Sequence, residues 1–365
     1  MLASTPLASA AAPHRNYTWC VVGAGPAGIA AVGKLLDNGV NATDIAWVDP
    51  KFDVGLCGRK WRSVWSNTSV ATFTRFLEAS PAFGYDKCET QLALHQMDAS
   101  ETCQLGAMVE PLQCVTATLM RKVFCFHDFV VTVERSGATD DWLMELDSGS
   151  TLTSTNVILA IGSKPRTMSS GDVPILPVEH ALCIETLCTK VKPTDNVAVF
   201  GSSHSAIMIV RDLLACGVSN VVNFYQSPLI YAVFYPDGTI LHDNTGLKGK
   251  TAEWAKANLE HGNLPTNIQR YQSTPQNIEK YLPTCTKVVY AIGFQQETIS
   301  VKGIPNPIPY DNKTGIIAPG LYGVGIAFPE LGTDAAGNME LKVGMWKFMD
   351  YLSRVVPKWV AATAL

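Results

Sequence analysis

"YTWCVVGAGPAGIAAVGKLLDNGVNATDIAWVDP", Tyr17 to Pro50, decides the fold. Trp19-Cys20-Val21-Val22 is a short apolar run of strand type that stops at a glycine. Gly23-Ala24-Gly25-Pro26-Ala27-Gly28 follows, and "IAAVGKLLDNG" then shows helical periodicity until Gly39. "DIAWVDP" is a second strand, closed by Asp49-Pro50. Strand, glycine turn, helix, strand and acid in this order make a dinucleotide-binding unit. Gly23 provides the tight turn, Gly25 lets the backbone approach a pyrophosphate, and Gly28 lets helix and strand lie close. The helix N-terminus favours the phosphate charge. Asp49 lies about 20 residues past the last glycine, where an acid accepts from ribose hydroxyls. Gly23, Ala24, Gly25, Pro26, Ala27, Gly28, Asp49 and Pro50 are therefore the expected contacts.

The pattern recurs. "DNVAVFGSSHSAIMIVRDLLACGVSNVVNFYQSP" (Asp195 to Pro228) is again strand, turn, helix and strand. Ser203 and Ala206 stand where the second and third glycines would be, and Ser is small enough for close approach. Gly201, Ser202, Ser203, His204 and Ser205 form the expected cradle, with His204 facing the ligand or sitting on an exposed loop. The second strand ends without the acid that marks NAD or an arginine that marks NADP. Gln226 and Ser227 suit either, so NADPH or NADH stays open. On either side of this second unit an apolar strand ends in Ala-Ile-Gly: "VILAIGSKPRT" (Val157 to Thr167) and "VVYAIGFQQ" (Val288 to Gln296). Their placement points to two crossings between halves, with Ala160, Gly162, Ala291 and Gly293 passing close to cofactors.

Composition bounds the answer. The 365 residues are 47% hydrophobic and 16% charged, with net charge −4. This suits a well-buried α/β enzyme and gives no electrostatic case for nucleic acid. No apolar run of membrane-spanning length is present, so stable membrane insertion is not expected. The first 16 residues lack a basic start before an apolar core and read as a flexible leader, with an organelle-targeting role left open. Ten scattered cysteines in a chain large enough to fold without staples read as small core hydrophobes in a reducing, cytoplasmic compartment. No Cys/His spacing matches a structural zinc site. A small-molecule substrate is expected, and homo-oligomerisation stays open.

With these motifs, residues 17 to 350 resemble the two-dinucleotide-binding flavoproteins, in which the first cradle holds FAD and the second NAD(P)H. The resemblance implies an α/β fold of two Rossmann-like, three-layer domains. Residues 17–164 and 293–365 would form a split FAD-binding domain, and 165–292 an inserted NAD(P)H-binding domain. Within the superfamily the chain is closest in motifs to flavin-containing monooxygenases. After Asp49, "VGLCGRKWRSVWSNTSVATFTRFL" carries Gly58 and Trp61, a loose match to that family's Gly-x-Trp element, and Asn67-Thr68-Ser69, a close match to its Asn-Thr-Ser. By this resemblance Asn67 sits beside the reactive edge of the flavin, positions NADP and helps hold activated oxygen, while Trp61 and Thr68 line the cofactor. "GLYGVGIAFPE" places Gly325-Ile326 where disulfide reductases have Gly-Asp, an acid that monooxygenases also lack. Glu340 would begin the last family helix. The monooxygenase element F-x-G-x-x-x-H is absent, with only His180 in a comparable place.

Other readings stay open. Cys183 and Cys188 are spaced too far apart in sequence for a C-x-x-C redox pair and read as core cysteines. A lone Cys57 near the flavin would be a thiol peroxidase-like centre. "CVTATLMRKVFCFHDFVVTVERS" and "DWLMELDSG" read as a β-meander, and Asp243, Asn244 and Lys248 as substrate contacts or a solvated loop. The expected activity is an FAD-dependent oxidoreductase reduced by NAD(P)H, monooxygenase-like. The alternatives are a disulfide or quinone-type reductase and a non-catalytic FAD-binding protein.

Overall fold

The computed structural model describes residues 15–87, 93–137, 139–260, 262–334 and 336–363. Of the expected leader, 1–14 lie outside the described residues, while Asn16 already opens the first strand.

β1 (Asn16–Val22), α1 (Pro26–Asp37) and β2 (Ile45–Val48) form the opening unit, with β1 and β2 parallel and Val21 opposite Trp47. α1 begins with Gly25 as N-cap and Pro26 inside its first turn, where the fixed proline φ suits the helix and the missing N–H costs nothing. α2 (Gly55–Lys60), β3 (Trp65–Ser69), α3 (Val70–Glu78), β4 (Thr102–Gln104) and α4 (Gly106–Met120) come next. β5 (Phe124–Phe126), β6 (Val130–Arg135), β7 (Trp142–Leu146) and β8 (Thr151–Leu159) follow. Cys114 to Met120, expected as strand, is instead the second half of α4. Met108, Leu112, Val115 and Leu119 are buried along one helical face, and tertiary packing of that face outweighs the local β-branched content.

The second unit begins after β9 (Ser163–Pro165), α5 (Val178–Ala181) and α6 (Ile184–Lys190). It contains β10 (Asn196–Phe200), α7 (His204–Ala215), β11 (Asn220–Tyr225), the short hairpin β12 (Val233–Phe234) and β13 (Ile240–Leu241), and α8 (Gly249–Leu259). β14 (Ile268–Gln272), α9 (Pro275–Tyr281) and β15 (Lys287–Tyr290) complete it. The chain returns through β16 (Phe294–Gln296), β17 (Ser300–Val301), β18 (Ile316–Ala318) and β19 (Leu321–Gly323). It ends with the hairpin β20 (Glu330–Thr333) and β21 (Met339–Lys342), then α10 (Met345–Thr363). Glu340 therefore lies in a strand and does not start the last helix. Gly344, with φ +149°, separates the two elements.

Two sheets result. The larger, of nine strands, runs β17-β6-β7-β8-β1-β2-β5, with β19 beside the end of β8 and β18 beside β19. β8 serves twice: Thr151 to Ser154 pairs antiparallel with β7, and Val157 to Leu159 lies between β1 and β19 in parallel. The smaller sheet, β14-β11-β10-β15, is wholly parallel. Helices α1, α3, α4 and α10 cover one face of the larger sheet, with Trp19, Trp47, Phe76 and Leu352 in the core. The other face packs Tyr17, Met144, Leu159 and Phe328. In the smaller sheet Val199 and Val289 meet Ile209 and Leu213 of α7 on one face, and Phe200, Phe224 and Tyr290 pack on the other.

The chain leaves the larger sheet at β9 and comes back at β16, and these two segments pair antiparallel, Ser163 opposite Gln296 and Pro165 opposite Phe294. The Arg166 N–H donates to the Gly293 carbonyl (3.0 Å) and the Glu297 N–H to the Gly162 carbonyl (3.1 Å). Gly162 and Gly293 have φ +77° and +87°, a left-handed turn that favours glycine. The two Ala-Ile-Gly ends are thus the two strands of one link between the halves.

Candidate functional site

The first turn is shaped by close backbone contacts. A Cβ on Gly23 would lie 2.5 Å from the Ala160 carbonyl oxygen, and one on Gly28 would lie 1.9 Å from the Gly23 carbonyl oxygen. Those two glycines serve protein packing. Gly25 differs: a Cβ there would meet nothing within 4 Å, so space lies open over it. Ala24 donates its N–H to Asp49 Oδ2 (2.7 Å), and Lys51 and Phe52 donate theirs to Asp49 Oδ1 (2.9 and 2.8 Å). Asp49 is buried and spends three of its roughly four acceptor positions on holding the turn. Two further segments close on the turn. A Cβ on Gly55 would lie 3.0 Å from the Gly25 Cα, and one on Gly325 would lie 2.6 Å from the Ala27 Cβ. Pro26 and Ala27 stand in the first turn of α1, and Pro50 follows the buried Asp49. A pyrophosphate fits here: open space over Gly25, a helix N-terminus behind it and no side chain in the way.

The second turn repeats the arrangement. A Cβ on Gly201 would lie 2.4 Å from the Ala291 carbonyl oxygen, the counterpart of Gly23 against Ala160. The Ala160 N–H donates to Val22 and the Ala291 N–H to Phe200, each at 2.9 Å, so each Ala-Ile-Gly strand docks on the strand that enters its cradle. Ser203 is the N-cap of α7, is exposed, and its hydroxyl caps nothing in the helix. Ser202 Oγ donates to the Ser227 carbonyl (3.1 Å), tying the turn to the end of β11. The sequence reading missed Asn223. Fully buried, it donates from Nδ2 to the carbonyls of Val199 (3.0 Å) and Gly201 (2.8 Å). Its signal was a lone amide within "VVNFY", since a buried polar side chain needs partners.

His204 is not an exposed loop histidine. It is half-buried, and neither ring nitrogen has a hydrogen-bond partner. Burial pushes its pKa down, Arg211 and Lys248 act in the same direction, and the backbone of Trp65 opposes them. The imidazole is therefore neutral near pH 7, and it lies by β3, the strand that carries Asn67. Asn67 is exposed, and its side chain makes no hydrogen bond among the described residues. The N-cap of α3 is Ser69, whose hydroxyl accepts from the Thr72 N–H (3.4 Å). Asn67 is thus not needed as a cap. Thr68 donates its N–H to Ser66 Oγ (2.8 Å), which shapes the strand beside it. Trp61 packs against the core of the inserted half and meets Phe294 edge to face, with ring centroids 6.2 Å apart.

A cavity of about 330 Å³ opens beside the second cradle; Gly25, Asp49, Trp61, Asn67 and His204 are not in its lining. Ser203 and Ser205 of the second cradle, Ala291, Gly293 and Phe294 of the return crossing, and Ile326 all line it. Its lining contains no charged side chain.

Three sequence expectations change. Cys188 is bonded to Cys216, with Cα atoms 5.1 Å apart, because α6 and the C-terminus of α7 pack together. Sequence spacing could not show this, since the partners are 28 residues apart. Cys183 is free, and its thiol donates to Glu185 Oε2 (3.3 Å). Burial, opposed by Arg62, pushes the Cys57 thiol up to about 12, which leaves it protonated and unsuited to a peroxidatic role. Asp243, Asn244 and Lys248 are neither solvated nor at the cavity. Asp243 pairs with Lys248 and with Lys347 of α10, and Asn244 donates from Nδ2 to Glu340 Oε2 (2.9 Å). They clasp the inserted half to the C-terminal segment.

One mixed and one parallel sheet, each with a parallel strand-turn-helix-strand unit and linked by paired crossings, define a two-dinucleotide flavoprotein fold of the FAD/NAD(P) oxidoreductase class. Comparison with known proteins narrows the class. A family described as FAD-NAD(P)-binding matches residues 20–164. The monooxygenase AgnR1 of Paecilomyces divaricatus is 32% identical over 389 aligned positions, covering 94% of this chain and 97% of that protein. Among solved structures, the flavin-containing monooxygenase of Stenotrophomonas maltophilia superposes with TM-score 0.62 at 14% identity, covering 96% of this chain and 99% of the other. The bacillithiol disulfide reductase of Staphylococcus aureus gives 0.60 at 12% identity, covering 96% and 100%. Both share the fold of this chain. The chain belongs to the FAD- and NAD(P)-binding monooxygenase family of AgnR1. It is an FAD-dependent NAD(P)H oxidoreductase of flavin-containing-monooxygenase type. No helix among the described residues is long and apolar enough to cross a membrane.

Proposed function

We propose that the chain oxygenates a small, uncharged organic molecule, with FAD in the cradle of residues 17–164 and 293–365 and the nicotinamide dinucleotide in that of residues 165–292. The observation that carries this reading is a cavity lined at once by the second cradle, the return crossing and Ile326. Bound FAD and NAD(P)H supply hydride transfer and oxygen activation. The chain supplies position and dryness. Gly25 leaves room for the pyrophosphate, and Asp49 holds the turn rigid and turns its last acceptor site to the ribose. Ser203, Ser205 and the α7 N-terminus receive the second pyrophosphate. The apolar lining of Phe294 and Ile326 excludes water and admits a substrate without formal charge.

Asn67 is the side chain assigned to the reacting region. Its amide can donate and accept at once, which suits both a nicotinamide carboxamide and activated oxygen. His204 offers a second, neutral group with both ring nitrogens unspent. The disulfide-reductase alternative is weakened by the cysteines: the Cys188–Cys216 bond ties α6 to the end of α7 remote from Ser203, and Cys57 is held as a thiol. The need for a supply of reduced nicotinamide supports a cytoplasmic location, and the disulfide weighs against it.

The test is anaerobic mixing with NADPH or NADH, followed by isotopically labelled dioxygen and a panel of neutral aromatic and aliphatic substrates. Reduction followed by label in the product supports the proposal. Oxygen-independent turnover of a disulfide or quinone would replace it with the reductase reading. No reduction by either nicotinamide would leave the non-catalytic one.

A further inference from the structure

We infer that the substrate is extended and apolar, and that Met339 and Leu341 of β21, with Val343 just beyond it, form the strip that selects it. The inference deepens the substrate reading above and rests on it only for calling the ligand a substrate. A hairpin of alternating residues normally buries its apolar face and turns its polar face to water. The β20–β21 hairpin does the reverse. Glu340 is only 5% exposed, whereas Met339 and Leu341 on either side of it are 61% and 50% exposed, and Val343 is 41% exposed. The register sorts the two faces. Leu331 lies opposite Leu341 and Thr333 opposite Met339 on the outward face, and Glu330 lies opposite Lys342 on the inward one.

Polar contacts fix this inversion. Glu340 Oε2 accepts from the Asn244 backbone N–H (3.2 Å) and from Asn244 Nδ2 (2.9 Å), and Oε1 accepts from the Thr245 hydroxyl (2.7 Å). Arg354 of α10 donates to both oxygens of Glu330 (2.9 and 2.7 Å), and Lys342 pairs with the same carboxylate at 3.3 Å. Turning the hairpin over to hide Leu341 would strip both carboxylates of these partners. The apolar strip is thus held outward, and one end of it reaches the cavity: Leu341 and Val343 line it together with Ser203, Phe294 and Ile326. Its occupant is therefore a molecule that enters the cavity. Val343 is four residues on from Met339, about 13 Å of strand, so a ligand that covers the strip has an apolar body of that length, a long alkyl chain or a row of fused rings. Three side chains fall well short of the roughly 20–30 residues a side of a stable protein interface, which argues against a second copy of the chain.

The test is displacement of the uncharged dye N-phenyl-1-naphthylamine from the FAD-loaded protein by 1-butanol, 1-hexanol and 1-octanol. It compares wild type, the Leu341→Thr/Val343→Thr double variant, Met339→Thr and, as control, Phe129→Ser, an exposed apolar residue outside the cavity lining. Threonine keeps the strand preference and the three positions are exposed, so the variants should fold. In wild type and control, binding should tighten about 16- to 250-fold from 1-butanol to 1-octanol, about two- to fourfold for each methylene laid on the strip. The double variant should compress that span to under about fivefold, and Met339→Thr should weaken 1-octanol about threefold while leaving 1-butanol within about twofold. Wild type that binds no dye would overturn the inference, and so would the same span in wild type and double variant. Sedimentation of wild type as a dimer that the double variant cannot form would overturn it in favour of a second copy. Binding to phosphatidylcholine vesicles that the double variant loses would overturn it in favour of a membrane surface. The expected pattern of alcohol binding without labelled product in the oxygenation test would uphold the strip and overturn the oxygenase reading instead.

Discussion

Replacing Gly25 by Val should abolish FAD retention while leaving the polypeptide folded. Gly25 has φ −77° and ψ 178°, a conformation open to any residue, and a Cβ there meets nothing within 4 Å. The cost to the fold is limited to a poorer N-cap, about 1 kcal/mol, or about 1–2 °C in the Tm of the apoprotein. The cost to the ligand is larger. A branched side chain would fill the space over the turn and keep a pyrophosphate from the N–H groups of α1. Losing two charge-assisted hydrogen bonds of about 1.5–3 kcal/mol each weakens binding by about 10²- to 10⁴-fold. Gly28→Ala is the contrasting variant. Its Cβ would stand 1.9 Å from the Gly23 carbonyl oxygen, so backbone must move, and stability should fall by about 1–3 kcal/mol with or without ligand. The assays are the flavin-to-protein absorbance ratio after purification, FAD affinity by quenching of flavin fluorescence, and apoprotein Tm by circular dichroism. Full occupancy and unchanged FAD affinity in Gly25→Val would refute the reasoning. So would a Gly28→Ala apoprotein as stable as wild type.

Ser203→Val should raise the KM for the nicotinamide at least tenfold and spare FAD content, because Ser203 lines the shared cavity and has no structural bond to lose; an unchanged KM would remove Ser203 from the site. Asn67→Ala should leave unfolding free energy within about 0.5 kcal/mol of wild type, since Ser69 supplies the cap of α3. It should raise the ratio of hydrogen peroxide formed to NAD(P)H consumed about ten- to a hundredfold, and an unchanged ratio would withdraw Asn67 from oxygen chemistry. His204 makes a pH prediction. Its pKa is depressed by burial below the ordinary 6.5, so the unfolded chain binds the proton more readily than the folded one. Stability then falls as pH drops below that value, and His204→Leu should flatten the fall below about pH 6.5. Parallel Tm-against-pH curves for the two proteins would show that His204 is not the buried neutral group described.

Much of this was legible in the sequence because it depends on local backbone chemistry. The Gly23, Gly25 and Gly28 spacing, the Pro26 helix start and the strand ending at Asp49 each have a physical reason within a few residues. The same holds for Gly201 and Ser203, and for the repeated Ala-Ile-Gly. What that repeat does, however, is a tertiary fact: Ala160 and Ala291 lay their carbonyls over Gly23 and Gly201, and the glycines that follow join the halves through β9 and β16. Short apolar segments were harder to read. Cys114 to Met120 carries β-branched residues but turns helical because α4 has one face to bury, and Glu340 falls in a strand because β20 lies beside it.

Partners distant in sequence were out of reach altogether. Cys188 finds Cys216, Asp243 finds Lys347, and Arg270 reaches Asn223 only once the parallel strands and their helices are stacked. His204 changed meaning for the same reason: whether a loop histidine is solvated or buried depends on which segment folds over it, here β3. The sequence by itself therefore determined where the two turns leave the backbone open to close approach, because that is set by the size of the residue at each turn position. Only the tertiary structure decided which side chains face them, because that is set by the pairing and packing of strands far apart along the chain.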